Sequence, residues 1–151
     1  MRRFPDWLKK SIPEATTLQT DTTLNRFKLN TICYSAKCPN RSECFAARTA
    51  TFLILGNLCT RRCTFCSVPQ GNPSELDMTE PDRVAKASLD MGLNHVVVTS
   101  VNRDDLEDGG AEIFFQHVLD GDTTRQAGQR AGIQIHFLEF SEPFPHVQKG
   151  L

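Results

Sequence analysis

Three short apolar runs follow the first third of the chain and predict β-strands. The segments "TATFLILG" at 49–56 and "NHVVVTS" at 94–100 have the length of buried strands. A third run, "AGIQIHFLEF" at 131–140, predicts another strand. Continuous apolar strands are typical of parallel sheets, because such sheets are covered on both faces.

The stretches between these runs have helical periodicity. Residues 78–93, "MTEPDRVAKASLDMGL", predict a helix with Thr79 at the N-cap. Pro81 fits its first turn and Gly92 ends it. A second helix is expected at about 110–120. Strands alternating with helices predict right-handed βαβ units, so the fold class is α/β with a parallel sheet.

The chain divides into two parts at the start of the first strand. Residues 1–48 predict an N-terminal extension, an arm with one helix near 20–29 followed by a cysteine-bearing stretch. Residues 49–151 predict a core with room for about three βα units. A closed eight-unit barrel needs about 200 or more residues, so we expect part of a larger barrel rather than a small open sheet.

Composition and charge narrow the function classes. With 17 basic and 18 acidic residues, the chain lacks the basic surface expected of a nucleic-acid-binding protein. No apolar run approaches the roughly 20 residues of a membrane-spanning helix. The N-terminal "MRRFPDWLKKSIPE" has no apolar signal segment. We therefore expect a cytoplasmic protein that binds neither nucleic acid nor membranes.

All six cysteines lie between residues 33 and 66, in two groups of three. Without an export signal, reduced thiolates that bind metal are a better interpretation than disulfides. The second group, in "CTRRCTFCSVPQG", has the spacing C-x3-C-x2-C and follows the first strand, where α/β folds place active sites. Its thiolates could hold one zinc ion or three irons of a four-iron cluster. Zinc would favour a fourth ligand, and the nearest histidine in sequence is His95.

This second group, with Phe65 before its last cysteine, resembles the S-adenosylmethionine (SAM) cluster motif of the radical SAM superfamily. The first group is spaced C-x4-C-x5-C in "TICYSAKCPNRSECF". Together with "PDWLKKSIP", "SVPQGNP", "LDMTEPDRVA" and "VVVTSVNRDDLEDGGA", it resembles the lipoyl synthases within that superfamily. The resemblance extends from about Asp6 to about Glu112.

The resemblance implies two [4Fe–4S] clusters and SAM as cofactors. The auxiliary cluster would be held by Cys33, Cys38 and Cys44, and the SAM-binding cluster by Cys59, Cys63 and Cys66. Residues 49–151 would then be an incomplete radical SAM core domain. The reduced SAM-binding cluster would pass an electron to SAM and break a carbon–sulfur bond, which gives a 5′-deoxyadenosyl radical. This radical would abstract hydrogen from a protein-bound octanoyl chain, and the auxiliary cluster would donate the sulfur. Two insertions would make the lipoyl cofactor, with no side chain acting as a catalytic acid or base.

The resemblance also implies the partners. These are an octanoylated lipoyl carrier domain or glycine-cleavage H protein, an electron donor such as flavodoxin or ferredoxin, and a cluster-repair protein. The candidate SAM contacts are Phe65, Thr99, Ser100 and Asn102, for which apolar packing or strand capping is the alternative.

Several neighbouring residues have two interpretations. Arg61 and Arg62 place positive charge near the thiolates or lie in a solvated loop. Residues 103–105, "RDD", either have a function at the site or form a solvated loop. Gly109 and Gly110 are expected to start a helix, and residue 117, a histidine, to be structural.

The sequence departs from the family at its end. The Arg-Ser-Ser-Ser-Arg segment that supplies a serine ligand to the auxiliary cluster is absent, and the resemblance fades after about Glu112. A truncated gene, a frameshift or an incomplete gene model would each produce this. The alternatives are an inactive iron–sulfur or zinc-binding fragment and another sulfur-inserting radical SAM enzyme, which "VTSVNRDDLEDGGA" disfavours.

Overall fold

The structure is a computed structural model that describes residue 5, residues 15–117 and residues 134–137. Its helices and strands alternate after a helical N-terminal part. In chain order they are α1 (Ala15–Phe27), β1 (Asn30–Thr31), α2 (Ile32–Ser35), α3 (Arg41–Ala46), β2 (Thr49–Ile54), α4 (Glu80–Asp90), β3 (His95–Ser100), α5 (described over residues 111–117) and β4 (Gln134–Phe137).

The strands form one sheet in the order β1-β2-β3-β4. Strands β2, β3 and β4 are parallel, with His95 opposite both Thr49 and Gln134. The α/β class and the parallel sheet are therefore confirmed. The third strand is described at Gln134–Phe137, and the remainder of its predicted span lies outside the described residues.

A two-residue strand, β1, was not predicted and extends the sheet at the β2 edge. It runs antiparallel to β2, with Thr31 opposite Phe52. Two residues are too short for a periodic signal, so tertiary pairing alone defines this strand. It brings the N-terminal extension into the sheet of the core.

The central strands are buried on both faces. The side chains of Phe52 and Ile54 are 0% exposed, and Val96 and Val98 of β3 are nearly so. Burying apolar side chains of this size contributes roughly 1.5–3 kcal/mol each, which is why continuous apolar runs form the centre of a parallel sheet.

Helix α4 lies within the predicted span but is shorter at both ends. Thr79 occupies the N-cap position without a capping hydrogen bond, so the predicted side-chain cap is wrong. Its hydroxyl and its N–H instead donate to Asp77 Oδ1, at 2.6 and 2.9 Å. The backbone of Thr79 is helical, with φ −94° and ψ −5°, rather than the extended conformation typical of a capping residue.

Helix α4 ends at its C-terminus as predicted, with Gly92 in the left-handed conformation. Gly92 has φ +57°, and its N–H donates to Leu89 O at 3.0 Å. The next N–H, of Leu93, donates to Ser88 O at 3.1 Å. These two bonds form a Schellman motif, which requires the left-handed residue that glycine supplies.

Helix α1 begins at Ala15, earlier than predicted, and packs on the core. Arg26 Nη2 lies 2.7 Å from Asp90 Oδ2, and Arg83 Nη1 donates to Phe27 O at 3.1 Å. The N-terminal extension thus contacts α4, and the division at residue 48 stays a prediction. Among the residues that the structure describes, every helix is too short or too polar to cross a bilayer.

Two left-handed turns meet at the carboxyl end of β2. Leu55 has φ +67° and Gly56 φ +110°, while Gly110 before α5 has φ +90°. A Cβ on Gly110 would lie 2.6 Å from Leu55 Cδ1, so the buried Leu55 side chain would have to shift to admit even a methyl group.

We expect Gly110→Ala to destabilise the fold by about 2 kcal/mol more than Gly109→Ala. Both substitutions place a side chain at positive φ, but Gly109 has open space and Gly110 has the Leu55 contact. Urea unfolding followed by circular dichroism measures the difference. Equal losses would contradict the close contact.

Candidate metal centre

The second cysteine group lies on a loop closed at its base. Cys59 and Gln70 form a parallel β-bridge, Cys59 N–H donates to Pro69 O at 2.9 Å, and Gly71 N–H donates to Cys59 O at 3.2 Å. Val68 is buried and anchors the returning arm. The loop between them therefore leaves and re-enters the structure beyond the carboxyl end of β2, as the sequence predicts.

The base of this loop is also bonded to the segment after β3. Thr60 N–H donates to Asn102 O at 3.1 Å, and Asp104 N–H donates to Thr60 Oγ1 at 3.1 Å. Between these bonds, Asn102 N–H points at Cys59 Sγ, 3.4 Å away. Hydrogen bonds from peptide N–H groups to cysteine sulfur are one of the factors that set the potential of iron–sulfur clusters.

The outer half of the loop faces solvent. Cys59 and Cys63 are half-buried, whereas Cys66 is exposed, and all six cysteines of the chain are free thiols. Phe65 is 86% exposed. A hydrogen bond of 3.1 Å from Cys66 N–H to Cys63 O keeps the two outer cysteines on one turn.

Two arginines on the loop have different roles. Arg61 forms a two-pronged ion pair with Asp104, with Nη2–Oδ1 at 2.7 Å and Nε–Oδ2 at 2.9 Å. The hydrogen bond to Asp104 raises the pKa of Arg61, and the nearby Cys59 and Cys63 act in the same direction. Positive charge is thus held beside two of the sulfurs. Arg62 instead braces the loop through Nε, which donates to Gln70 Oε1 at 2.8 Å.

The first cysteine group is gathered around α2 and α3. Cys33 is buried in α2, and Cys38 N–H donates to Cys33 O at 3.0 Å. Burial raises the pKa of the Cys33 thiol, a hydrogen bond from Thr51 N–H lowers it, and the nearby Cys38 and Cys44 raise it. The structure therefore brings all three thiols of this group into one neighbourhood beside β2.

Each donor set consists of three free thiols, the ligand type that both zinc ions and iron–sulfur clusters take. Within the described part of the chain, no three His, Cys, Asp or Glu side chains are grouped so that they could hold one ion. A zinc ion needs its sulfur ligands at about 2.3 Å from one point. Thiolates that hold a [4Fe–4S] cluster bind different irons and need not converge so closely.

The remaining candidate SAM contacts lie at the same sheet edge. Ser100 is opposite Ile54 in the parallel register, so it lies beside the start of the cysteine loop. Thr99 is buried, and Asn102 is half-buried with its backbone bonded to the loop. The placement of these residues agrees with the expectation, and their role as SAM ligands stays a prediction.

The solvated-loop interpretation is wrong for Arg103. Its side chain is buried, although Asp104 and Asp105 beside it are exposed. Its guanidinium binds Asp105 and the backbone carbonyls of Leu55 and Ser74. No sequence pattern indicates this burial, because it depends on two segments distant in the chain.

The interpretation of the next segment is confirmed. Gly109 and Gly110 precede the helix at residues 111–117, and Asp108 accepts hydrogen bonds from the N–H groups of Gly110 and Glu112. His117 is buried, with Nδ1 2.9 Å from Ile113 O, which agrees with a structural role.

Comparison with known proteins identifies the family. A family model described as "Radical SAM superfamily" matches residues 53–139, more than half of the chain. The chain belongs to the radical SAM superfamily. Membership implies a [4Fe–4S] cluster and SAM as cofactors.

Three curated relatives of this radical SAM chain are named lipoyl synthase. That of Caldanaerobacter subterraneus subsp. tengcongensis is 53% identical over 118 residues, which is 78% of this chain and 42% of the relative. That of Rhodopirellula baltica is 51% identical over 119 residues, 78% of this chain and 38% of the relative. That of Geotalea uraniireducens is 45% identical over 138 residues, 91% of this chain and 48% of the relative.

The extents of these matches differ beyond about Glu112, where the resemblance is expected to fade. The radical SAM match reaches residue 139, and an alignment over 138 residues cannot end before residue 138. Some resemblance therefore continues beyond Glu112, while the two alignments at higher identity cover 118 and 119 residues. The chain spans between 38% and 48% of the length of these three relatives.

We expect Cys66 to react with iodoacetamide at least about tenfold faster than Cys33 in the folded, metal-free chain. Cys66 is exposed, whereas Cys33 is buried with a raised pKa, so little reactive thiolate is available there. Timed quenching and peptide mass spectrometry give both rates. The two rates should converge in denaturant, and equal rates in the folded chain would contradict the burial of Cys33.

Proposed function

We propose that this chain carries the cofactor-binding part of a lipoyl synthase, which inserts two sulfur atoms into a protein-bound octanoyl group. The observation that carries the proposal is the pair of cysteine triplets, one on the closed loop beyond β2 and one gathered around α2 and α3. Support comes from relatives named lipoyl synthase that are 45–53% identical to it.

Each triplet has its own task in this proposal. Cys59, Cys63 and Cys66 hold the cluster that binds SAM, and the first triplet holds the auxiliary cluster that donates sulfur. When bound, the clusters and SAM supply an electron, a carbon-centred radical that abstracts hydrogen, and the sulfur atoms. The protein supplies position and charge for these cofactors.

The residues around the second triplet act on its thiolates. The N–H of Asn102 orients the Cys59 sulfur, since it donates to Sγ at 3.4 Å. Arg61, held by Asp104, keeps a positive charge beside an anionic thiolate site. Both contacts place a donor N–H or a positive charge where cluster-bound sulfur would carry negative charge.

The end of β3 is the proposed contact region for SAM. Thr99, Ser100 and Asn102 offer hydrogen-bonding groups next to the cysteine loop, and the exposed Phe65 offers an aromatic face. Thr99, Ser100 and Asn102 would hydrogen-bond the methionyl part of SAM, and Phe65 would stack near its adenine ring.

The partners and location belong to the same proposal. The substrate is an octanoyl-lysine on a lipoyl carrier domain or glycine-cleavage H protein, electrons come from a flavodoxin or ferredoxin, and a cluster-repair protein rebuilds the auxiliary cluster. A cytoplasmic location suits six free thiols, because reducing compartments keep cysteines available for metal.

Anaerobic reconstitution should give about eight irons and eight labile sulfides per chain, since each triplet is proposed to hold a four-iron cluster. A variant with Cys59, Cys63 and Cys66 changed to Ala should retain about four of each. Iron and sulfide assays with Mössbauer spectra make the measurement. Zinc without labile sulfide would contradict the proposal.

With SAM, dithionite and an octanoylated carrier domain, the reconstituted chain should release 5′-deoxyadenosine and add two sulfurs to the carrier. Mass spectrometry of both products is the measurement. The variant with Cys33, Cys38 and Cys44 changed to Ala should cleave SAM without adding sulfur, because its sulfur source is missing. If the chain binds both clusters but does not cleave SAM, the result would favour an inactive metal-binding fragment.

A further inference from the structure

The residue between β2 and the cysteine loop is held by two charged side chains. Leu55 has φ +67°, a left-handed conformation that is unfavourable for a residue with a side chain. Its N–H donates to Glu80 Oε2 at 2.9 Å, and its carbonyl accepts from Arg103 Nη1 at 3.0 Å. Both backbone polar groups of one strained residue are thus fixed by side chains distant in sequence.

Arg103 connects the two arms of the segment that carries the cysteines. Its side chain is 4% exposed, and besides Leu55 O its Nη2 donates to Ser74 O at 3.0 Å. Leu55 precedes Cys59 and Ser74 follows Cys66, so one guanidinium binds the chain on both sides of the triplet. Asp105 fixes the guanidinium plane through Nε at 2.9 Å and Nη2 at 2.8 Å.

Glu80 connects the turn at Leu55 to helix α4. It is the first residue of that helix and is 7% exposed. Burial raises the pKa of Glu80, while the Leu55 N–H and the charge of Arg83 lower it. Burying a carboxylate costs free energy of folding, which its hydrogen bonds only offset. A gain in stability is therefore a weak explanation for the contact between Glu80 and Leu55.

We propose that Glu80 and Arg103 are positioning residues that set where the thiolates of Cys59, Cys63 and Cys66 lie relative to the end of β3. The proposal rests on the proposed function, in which these thiolates hold the SAM-binding cluster. Among the contacts described, neither side chain reaches Cys59, Cys63 or Cys66, the proposed cluster ligands. Each acts through the backbone of Leu55, and Arg103 also through that of Ser74.

Two test variants and two control variants separate an effect on the position of the cysteine loop from an effect on the stability of the fold. Arg103→Lys keeps the charge but loses the planar fork that reaches two carbonyls. Glu80→Ala removes the acceptor for Leu55 N–H, whereas Glu80→Gln keeps an acceptor oxygen. Asp82→Asn is the matched control on α4, because Asp82 is exposed and pairs only with the exposed Lys86 in the contacts described.

The readouts are SAM affinity of the reconstituted chain, the EPR spectrum of the reduced cluster with and without SAM, and the free energy of unfolding of the metal-free chain. We expect Arg103→Lys and Glu80→Ala to weaken SAM binding by about 10–100-fold and to alter the SAM-induced EPR change. Glu80→Gln and Asp82→Asn should bind SAM as the unchanged chain does.

The outcomes distinguish the two proposals. If the unchanged chain forms no cluster or its EPR spectrum does not respond to SAM, the proposed function fails first. If the unchanged chain responds, but Arg103→Lys and Glu80→Ala match its affinity and spectrum, the positioning proposal is overturned while the function stands. Lower unfolding free energy with unchanged SAM affinity assigns these residues a structural role alone. If Glu80→Ala does not fold, the SAM affinity and EPR spectrum of Arg103→Lys decide whether the positioning proposal holds.

Discussion

The left-handed backbone at Leu55 is the constraint on which the candidate site depends. A strand continued past Ile54 would carry the cysteines away from the sheet, whereas the turn at Leu55 and Gly56 directs them across its carboxyl edge. Such a turn is stable only if its backbone groups are bonded and its side chain is packed. Glu80 and Arg103 supply those bonds, and the close approach of Gly110 accommodates the side chain.

The two cysteine groups are held by different physical means. The second group lies on an open loop fixed by backbone bonds to the segment after β3, with its outer cysteines toward solvent. The first group lies on α2, on α3 and in the segment between them, and these helices of four and six residues are too short to be stable alone. Their stability comes from packing, since Cys33 and Phe45 are part of the buried core. Metal at the first group would therefore be coupled to folding of the extension.

The sequence predicted the elements whose buried residues form a continuous or periodic pattern. It did not predict features that depend on a single contact between distant residues. The apolar runs of β2 and β3 and the periodicity of α4 predicted the parallel sheet, because such patterns follow from burial on two faces or one. The start of α1 was misplaced because its segment is polar and its contacts with α4, Arg26–Asp90 and Arg83 to Phe27 O, join residues distant in sequence. Burial of Arg103 could not be predicted, because its partners Leu55 and Ser74 are distant in sequence.

Two motifs that look independent in the sequence form one structure. "CTRRC" contributes the sulfur of Cys59 and the guanidinium of Arg61, and "VNRDD" contributes the Asn102 N–H and the Asp104 carboxylate that meet them. The spacing of the cysteines alone would fix which atoms are ligands, but not their orientation or the charge around them. Those properties come from the segment after β3, so the strand that is proposed to contact SAM also shapes the site of the cluster. Parallel pairing of β2 with β3 is what brings the two motifs to the same edge.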